Sequence, residues 1–190
     1  MVSRARRCAH AAGERALCAW AERELLGRPL ALALDCHSGF GMRDRIWFPF
    51  AHRRAPIARL PELHALHAIF AASHVQHPYV FEPQSAQYLT HGDLWDHLVL
   101  RSEGRAGVFL PLTLEMGSWL WVKKNPRQLF SRLGMFNPVI EHREQRVLRR
   151  HLPLLDFLVR AGIAAQQWLP SGAARDEHRR AGMRRWYHAA

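Results

Sequence analysis

Two apolar stretches of this 190-residue chain each end abruptly in a polar side chain that is soon followed by glycine. The first starts at Leu30 and ends at His37, and the second starts at Val108 and ends at Glu115. A buried strand that ends this way presents a metal ligand or a catalytic base at its carboxyl end, because glycine lets the backbone turn away. The pattern therefore predicts a sheet that gathers His37 and Glu115 at one edge, an arrangement that suits a metal-assisted hydrolase.

Helical and strand-like segments alternate along the chain, which is typical of the α/β class. Pro153 interrupts the last helical segment and is expected either to kink it or to divide it in two. Asp93 is expected to cap the third helix. The segment 78–87 has the composition of an irregular loop. The predicted helices are 13–26, 60–72, 92–98 and 139–161, the predicted strands are 30–35 and 108–115, and 43–50 is a short strand or an extended loop.

Charge and cysteine content indicate which partners and which cellular compartment to expect. The net charge is +11, and nearly all of the positive charge is arginine. Because the arginines are scattered and no aromatic-interleaved basic motif accompanies them, the sequence argues against a nucleic-acid partner. Three cysteines without CxxC spacing favour a reducing compartment, so we expect a cytoplasmic protein. The most apolar late stretch carries Asp156 and Arg160 and falls short of a membrane span.

Four pieces of the sequence occur in an order that resembles a known family. They are Glu14-Arg15-Ala16 on a helix, His37-Ser38-Gly39 at a strand end, the segment from Tyr88 to Asp96, and Thr113-Leu114-Glu115-Met116-Gly117. Together they resemble the second half of the zinc carboxypeptidases of the carboxypeptidase A type. The resemblance covers roughly residues 13–161. It implies that residues 1–165 are the C-terminal half of a three-layer α/β/α catalytic domain with a mixed sheet. The segment 166–190 is arginine-rich, and its composition predicts a poorly ordered tail.

The resemblance also implies a site and a reaction. His37 matches the third zinc ligand, and zinc would polarise the scissile carbonyl and acidify its bound water. Glu115 would take the proton from that water and pass it to the leaving amine. Tyr88 would close over the substrate, which is a peptide C-terminus or a related amide. Asp96 also matches a family position, but we interpret it as a structural residue of its helix.

The rest of the family's zinc site is absent from this sequence. The first two zinc ligands of the family come from an upstream His-x-x-Glu motif, and no Glu or Asp here has a histidine three residues before it. Only 36 residues precede His37, too few for the strands that carry those ligands. We therefore expect the chain alone to be inactive or nearly so, and to need an N-terminal half or a second chain. Arg43 and Arg45 are candidates for binding an anionic substrate, with no role assigned by the motif.

Two other functions stay open. One is a non-catalytic peptide-binding protein that uses a cleft around Tyr88 and Trp119-Leu120-Trp121. The other is an anion- or nucleic-acid-binding protein that uses the arginines from Arg143 to Arg185, with an affinity that falls steeply with salt. The histidine pairs 64/67 and 74/77 have helical spacing that can bind metal, but such pairs are expected by chance among 13 histidines.

Overall fold

The structure is a computed structural model that describes residues 12–38, 40–132, 134 and 136–187. Two short 3-10 helices, Gln84–Ala86 and Pro126–Phe130, connect its longer elements. The strands are β1 (Leu30–Ser38), β2 (Arg45–Phe48), β3 (Val80–Pro83) and β4 (Val108–Met116). The helices are α1 (Ala12–Leu25), α2 (Leu60–Ser73), α3 (Leu94–Ser102), α4 (Trp119–Lys124), α5 (Glu141–Ile163), α6 (Ala165–Trp168) and α7 (Gly172–Trp186).

The four strands form one mixed sheet in the order β1-β4-β2-β3. β1 and β4 are parallel and pair along nine residues, from Leu30 opposite Val108 to Ser38 opposite Met116. β2 is antiparallel to β4 and parallel to β3. Pro111 lies in β4 before the segment that pairs with β2, so its missing N–H can face a side without a ladder. The predicted mixed sheet is confirmed.

Helices pack on both faces of this sheet, as the α/β prediction requires. Trp95 of α3 contacts Phe109 of β4 on one face, with ring centroids 6.4 Å apart. On the other face, Phe70 of α2 packs against both Phe81 of β3 (5.7 Å) and Phe157 of α5 (5.0 Å). The core between these layers is apolar and closely packed. Its most buried side chains include Ile46, Phe48, Leu60, Leu98, Leu110, Leu112 and Leu154.

A glycine turn aligns the starts of the two parallel strands. Gly107 has a φ of 86°, and a Cβ there would lie 1.8 Å from the carbonyl oxygen of Arg28. This close approach lets the Val108 N–H donate to the Pro29 carbonyl oxygen at 3.2 Å. Only glycine permits both the backbone conformation and the contact. The turn that precedes β4 is therefore fixed against the turn that precedes β1.

The end of the chain differs from the predicted poorly ordered tail. Residues 172–186 form α7, which packs on α2, while residues 188–190 lie outside the described part of the chain. Gly182 lets the helices approach, since a Cβ there would lie 3.0 Å from Leu60 Cγ. Trp186 donates its indole N–H to the Phe81 carbonyl oxygen at 2.8 Å, and Arg175 pairs with the buried Glu62 at 3.0 Å. These contacts order a segment whose sequence is dominated by arginine.

One further segment departs from the sequence-based expectation. The segment 78–87 contains β3 and a 3-10 helix instead of an irregular loop. Pro153 lies inside α5, which is one helix of 23 residues, so the proline does not divide it in two. Within the ranges that the structure describes, no helix combines the length and the apolar character needed to cross a membrane.

One flank of the sheet is open in the described part of the chain. β1 pairs with β4 on one side and with no described strand on the other. Beside it lies an apolar groove of about 370 Å³ between β1 and α5. The neighbouring surface of α5 is also apolar, because Leu152, Leu155 and Val159 are 41–62% exposed. An unpaired strand edge next to an exposed apolar stripe is a surface that other polypeptides can cover.

Candidate active-site cleft

The three residues proposed for the site line one cleft. His37 and Glu115 are directly opposite each other in the β1–β4 register, so their side chains share a face at the carboxyl ends of the strands. Tyr88 follows the 3-10 helix after β3, and its N–H donates to the Gln84 carbonyl oxygen. The cleft has a volume of about 450 Å³ and is also lined by Cys36, Ser38 and Phe40. The topology thus brings together residues 78 positions apart in sequence.

His37 lies between two carboxylates. Its Nε2 is 2.9 Å from Asp35 Oδ2, and its Nδ1 is 3.3 Å from Glu115 Oε1. The Trp95 indole N–H also donates to Asp35 Oδ2, at 3.0 Å, which anchors that carboxylate. Each ring nitrogen thus faces a carboxylate oxygen, and either one can donate. In the tautomer that donates from Nε2 to Asp35, the lone pair is on Nδ1, on the side of Glu115, where it could bind a metal or a proton.

Glu115 is a buried carboxylate, only 4% exposed. Burial raises the pKa of Glu115, while the adjacent His37 opposes that rise. A carboxylate whose charged form is destabilised by burial holds a proton more readily than an exposed one. The arrangement suits a group that accepts and returns a proton beside His37.

Tyr88 belongs to an aromatic wall on one side of the cleft. Its ring centroid is 5.7 Å from that of Trp47 and 6.3 Å from that of Phe40. The Tyr88 side chain is 42% exposed, so its hydroxyl can meet a ligand in the cleft. Burial first, and then the Glu115 charge, raise the pKa of Tyr88. The hydroxyl therefore stays protonated at neutral pH and remains a hydrogen-bond donor.

The two arginines after His37 have different surroundings. Arg45 is opposite Glu115 on β2, forms an ion pair with Glu82 and lies 5.6 Å from the centre of the Phe40 ring. The Glu82 carboxylate also accepts the Trp47 indole N–H at 3.0 Å, so it holds the base of the aromatic wall. Arg43 lines a different cavity. Arg45 is therefore a neighbour of the cleft residue Glu115 and is held by Glu82, whereas Arg43 lies outside the cleft.

The other residues considered from sequence lie elsewhere. Trp121 lines the cavity that contains Arg43, so the cleft around Tyr88 does not include it. Asp96 accepts the Ala51 N–H at 2.8 Å and fastens the loop after β2. Its burial raises the pKa of Asp96. Asp93 caps α3 as predicted, accepting from the N–H groups of residues 95 and 96.

Asp35 is the site residue that the sequence analysis missed. It lies inside the apolar run, which identifies it only as a residue of the strand. Because alternate residues of a strand share a face, its position two residues before His37 predicts that the two side chains lie on the same side of the sheet. Trp95 donates to Asp35 and Trp47 donates to Glu82. No local sequence pattern indicates these two hydrogen bonds, because the partners are 60 and 35 residues apart.

The residues present do not complete a zinc site. Catalytic zinc is usually held by three protein ligands. Across the described ranges, no group of three or more His, Cys, Asp and Glu side chains is arranged to hold a metal ion. The cleft offers the Nδ1 atom of His37, with its other ring nitrogen held by Asp35. That is one suitably oriented ligand, short of a full set.

No protein-family model, curated protein or solved structure matches this chain. The relationship to zinc carboxypeptidases therefore stays a prediction from residues in sequence order. His37, Glu115 and Tyr88, which the sequence and the resemblance together predict as site residues, lie around one cleft.

Proposed function

We propose that this chain carries part of the catalytic cleft of a zinc-dependent hydrolase of the metallocarboxypeptidase type, on part of a three-layer α/β/α zinc-peptidase fold. The observation that carries the proposal is the pairing of His37 with Glu115 at the carboxyl ends of neighbouring parallel strands, with Tyr88 over the same cleft. The substrate class is a C-terminal peptide bond or a related amide.

Each residue has a role that follows from its contacts. Asp35 fixes the His37 ring so that Nδ1 faces the cleft. Glu115 accepts a proton from the attacking water and returns it to the leaving amine. The protonated Tyr88 hydroxyl donates to the substrate. Zinc, when held by a complete ligand set, would supply Lewis acidity to such a site.

The proposal includes a second polypeptide segment that completes the site. The open edge of β1, the strand that carries His37, and the apolar groove between β1 and α5 offer it a docking surface. Backbone N–H and C=O groups along the free edge favour an added strand, and the groove favours apolar side chains. Without that segment, the chain is inactive or nearly so.

The incomplete site is tested on the chain alone. Calorimetric titration with Zn²⁺ is expected to show weak binding that is reduced further by His37→Ala, and no hydrolysis of a C-terminal peptide substrate. The exposed His142 provides the matched control, because His142→Ala leaves the cleft unchanged. One tightly bound zinc per chain, together with hydrolysis lost in Glu115→Gln, would contradict the incompleteness.

The catalytic assignment is tested on a completed protein. The DNA upstream of the Met1 codon is searched for a His-x-x-Glu motif, and the extended chain is expressed with zinc. Glu115→Gln is expected to lower kcat by about 10²–10⁴-fold with zinc retained. Glu103→Gln, an exposed carboxylate outside the cleft, is expected to leave kcat unchanged. An extended enzyme that is equally active with Glu115→Gln refutes the assignment. Absence of the upstream motif excludes an N-terminal half of the same chain as the source of the missing ligands.

A non-catalytic peptide-binding protein is the second candidate. Phe40 and Tyr88, which line the cleft and pack against the buried Trp47, favour it, because aromatic side chains supply much of the contact energy in peptide recognition. This function predicts peptide binding that survives chelators and Glu115→Gln but weakens with Tyr88→Ala. Binding that requires zinc excludes it.

A further inference from the structure

A second cavity, of about 360 Å³, lies outside the candidate cleft and shares no lining residue with it. We call it the arginine cavity. The loop 42–44, the segment 78–80, the residues after β4, α4 and the first half of α5 form its walls. Its lining residues are Met42, Arg43, Asp44, Pro78, Tyr79, Val80, Met116, Gly117, Leu120, Trp121, Arg146, Val147, Arg150 and His151.

Positive charge in the arginine cavity exceeds negative charge. Three arginines line it against a single carboxylate, Asp44. Asp44 is already engaged, because it forms an ion pair with Arg150 and accepts the Gly117 N–H at 2.9 Å. Arg43 and Arg146 have no acceptor among the described residues, and both are exposed at the cavity. Two free guanidinium groups on one concave surface favour an anion.

The rear of the cavity is polar but held rigidly. The Tyr79 hydroxyl donates to the Arg150 carbonyl oxygen at 3.0 Å and accepts from His151 Nδ1 at 2.8 Å. His151 is only 7% exposed, and burial lowers its pKa, with the Asp44 charge opposing. Burial also raises the pKa of Tyr79, so its hydroxyl keeps its proton. These groups fix the wall without adding negative charge that would repel an anion.

Apolar side chains supply the remaining surface. Trp121 is 7% exposed, and Met42, Leu120 and Val147 line the same space. A bare inorganic anion would leave this surface in contact with water, whereas an aromatic or aliphatic body would cover it. Ligand pockets commonly have this composition, with mostly apolar walls and a few convergent polar groups. Their volumes begin at about 300 Å³, so the cavity suits a small molecule.

We propose that the arginine cavity binds a small organic carboxylate, with its anionic group at Arg43 and Arg146 and its apolar body against Met42, Leu120 and Val147, beside Trp121. The site requires neither zinc nor the second polypeptide, so a test of it does not depend on whether the proposed hydrolase function is correct. It also differs from an extended basic surface for nucleic acid, because the free guanidinium groups converge on one concavity.

The test uses three probes on the full chain. Phenylacetate carries both charge and an aromatic body, inorganic phosphate carries charge alone, and 2-phenylethanol carries the body alone. Two-dimensional NMR would follow the indole N–H of Trp121, which reports on this cavity. Phenylacetate is expected to shift that signal saturably, with an affinity at least about tenfold above either comparison probe. A charge-assisted hydrogen bond supplies about that factor over 2-phenylethanol, and burial of the apolar ring supplies it over phosphate.

Matched arginine variants locate the binding. Arg146→Gln is expected to weaken phenylacetate binding about tenfold or more, whereas Arg149→Gln, on the same helix outside the cavity, changes it less than twofold. Both substitutions are on the helix surface, and a thermal melt checks that each variant folds. The proposal is overturned by an absence of saturable binding, by equal binding of all three probes, or by an equal effect of the two variants.

Discussion

Replacing Trp186 by alanine tests whether α7 is an integral part of the fold. The Trp186 ring packs edge-on against Phe48 with centroids 4.8 Å apart, and it contacts His67 at 5.5 Å. Its indole N–H donates to the Phe81 carbonyl oxygen at 2.8 Å. The substitution removes both the packing and this hydrogen bond. A disordered tail would lose neither.

The size of the effect follows from these contacts. A fully buried tryptophan costs about 3–5 kcal/mol when truncated to alanine, and the partial burial of Trp186 reduces this to about 2 kcal/mol. Loss of the hydrogen bond to Phe81 adds about 1 kcal/mol. The free energy of unfolding should therefore fall by about 3 kcal/mol. In a chain of this length, that corresponds to a Tm lower by about 6–12 °C.

The assay is urea and thermal unfolding followed by far-UV circular dichroism, since removal of a tryptophan would confuse fluorescence. Trp186→Phe keeps a ring but loses the N–H, and should cost about 1 kcal/mol. Arg180→Ala, on an exposed position of α7, should change stability by less than about 0.5 kcal/mol. If Trp186→Ala is as stable as the wild type, the docking of α7 on α2 is refuted.

Two further predictions concern local features. Burial, Arg185 and His64 lower the pKa of His67 to about 4, so the unfolded chain, with a histidine pKa near 6.5, binds more protons as pH falls from about 6.5 to 4. Unfolding titrations should show stability that is full above pH 6.5 and lower by about 3 kcal/mol at pH 4. A pH dependence that is unchanged in His67→Leu would contradict this. Removing the α3 cap with Asp93→Ala should cost about 1 kcal/mol, whereas Asp93→Asn should cost a few tenths, as measured by thermal melts.

The features that sequence predicted well depend on short-range physics. Asp93 caps α3 because its carboxylate reaches N–H groups two and three residues ahead. The strand ends near His37 and Glu115 follow from apolar runs that a glycine soon follows in the sequence. Such signals are contained in windows of a few residues.

The features that sequence missed depend on distant partners. β3 is four residues long and is stabilised by pairing with β2, more than 30 positions earlier. α7 lacks a strong apolar periodicity, and its order comes from Gly182 and Trp186 meeting α2 and β3. The arginine cavity combines residues from positions 42 to 151, so no local pattern indicates it.

The turn at Gly107 has a consequence for the opposite end of the sheet. β1 and β4 have nine residues each, and the contact of Gly107 with Arg28 sets which residues face each other along their whole length. Side chains alternate between faces, so loss of one residue from either strand would send His37 and Glu115 to opposite sides of the sheet. The position of His37 relative to Glu115 therefore depends on the equal length of the two strands and on the backbone contact at their opposite ends. A change in the length of either strand should disturb the cleft more than a substitution of a side chain within it.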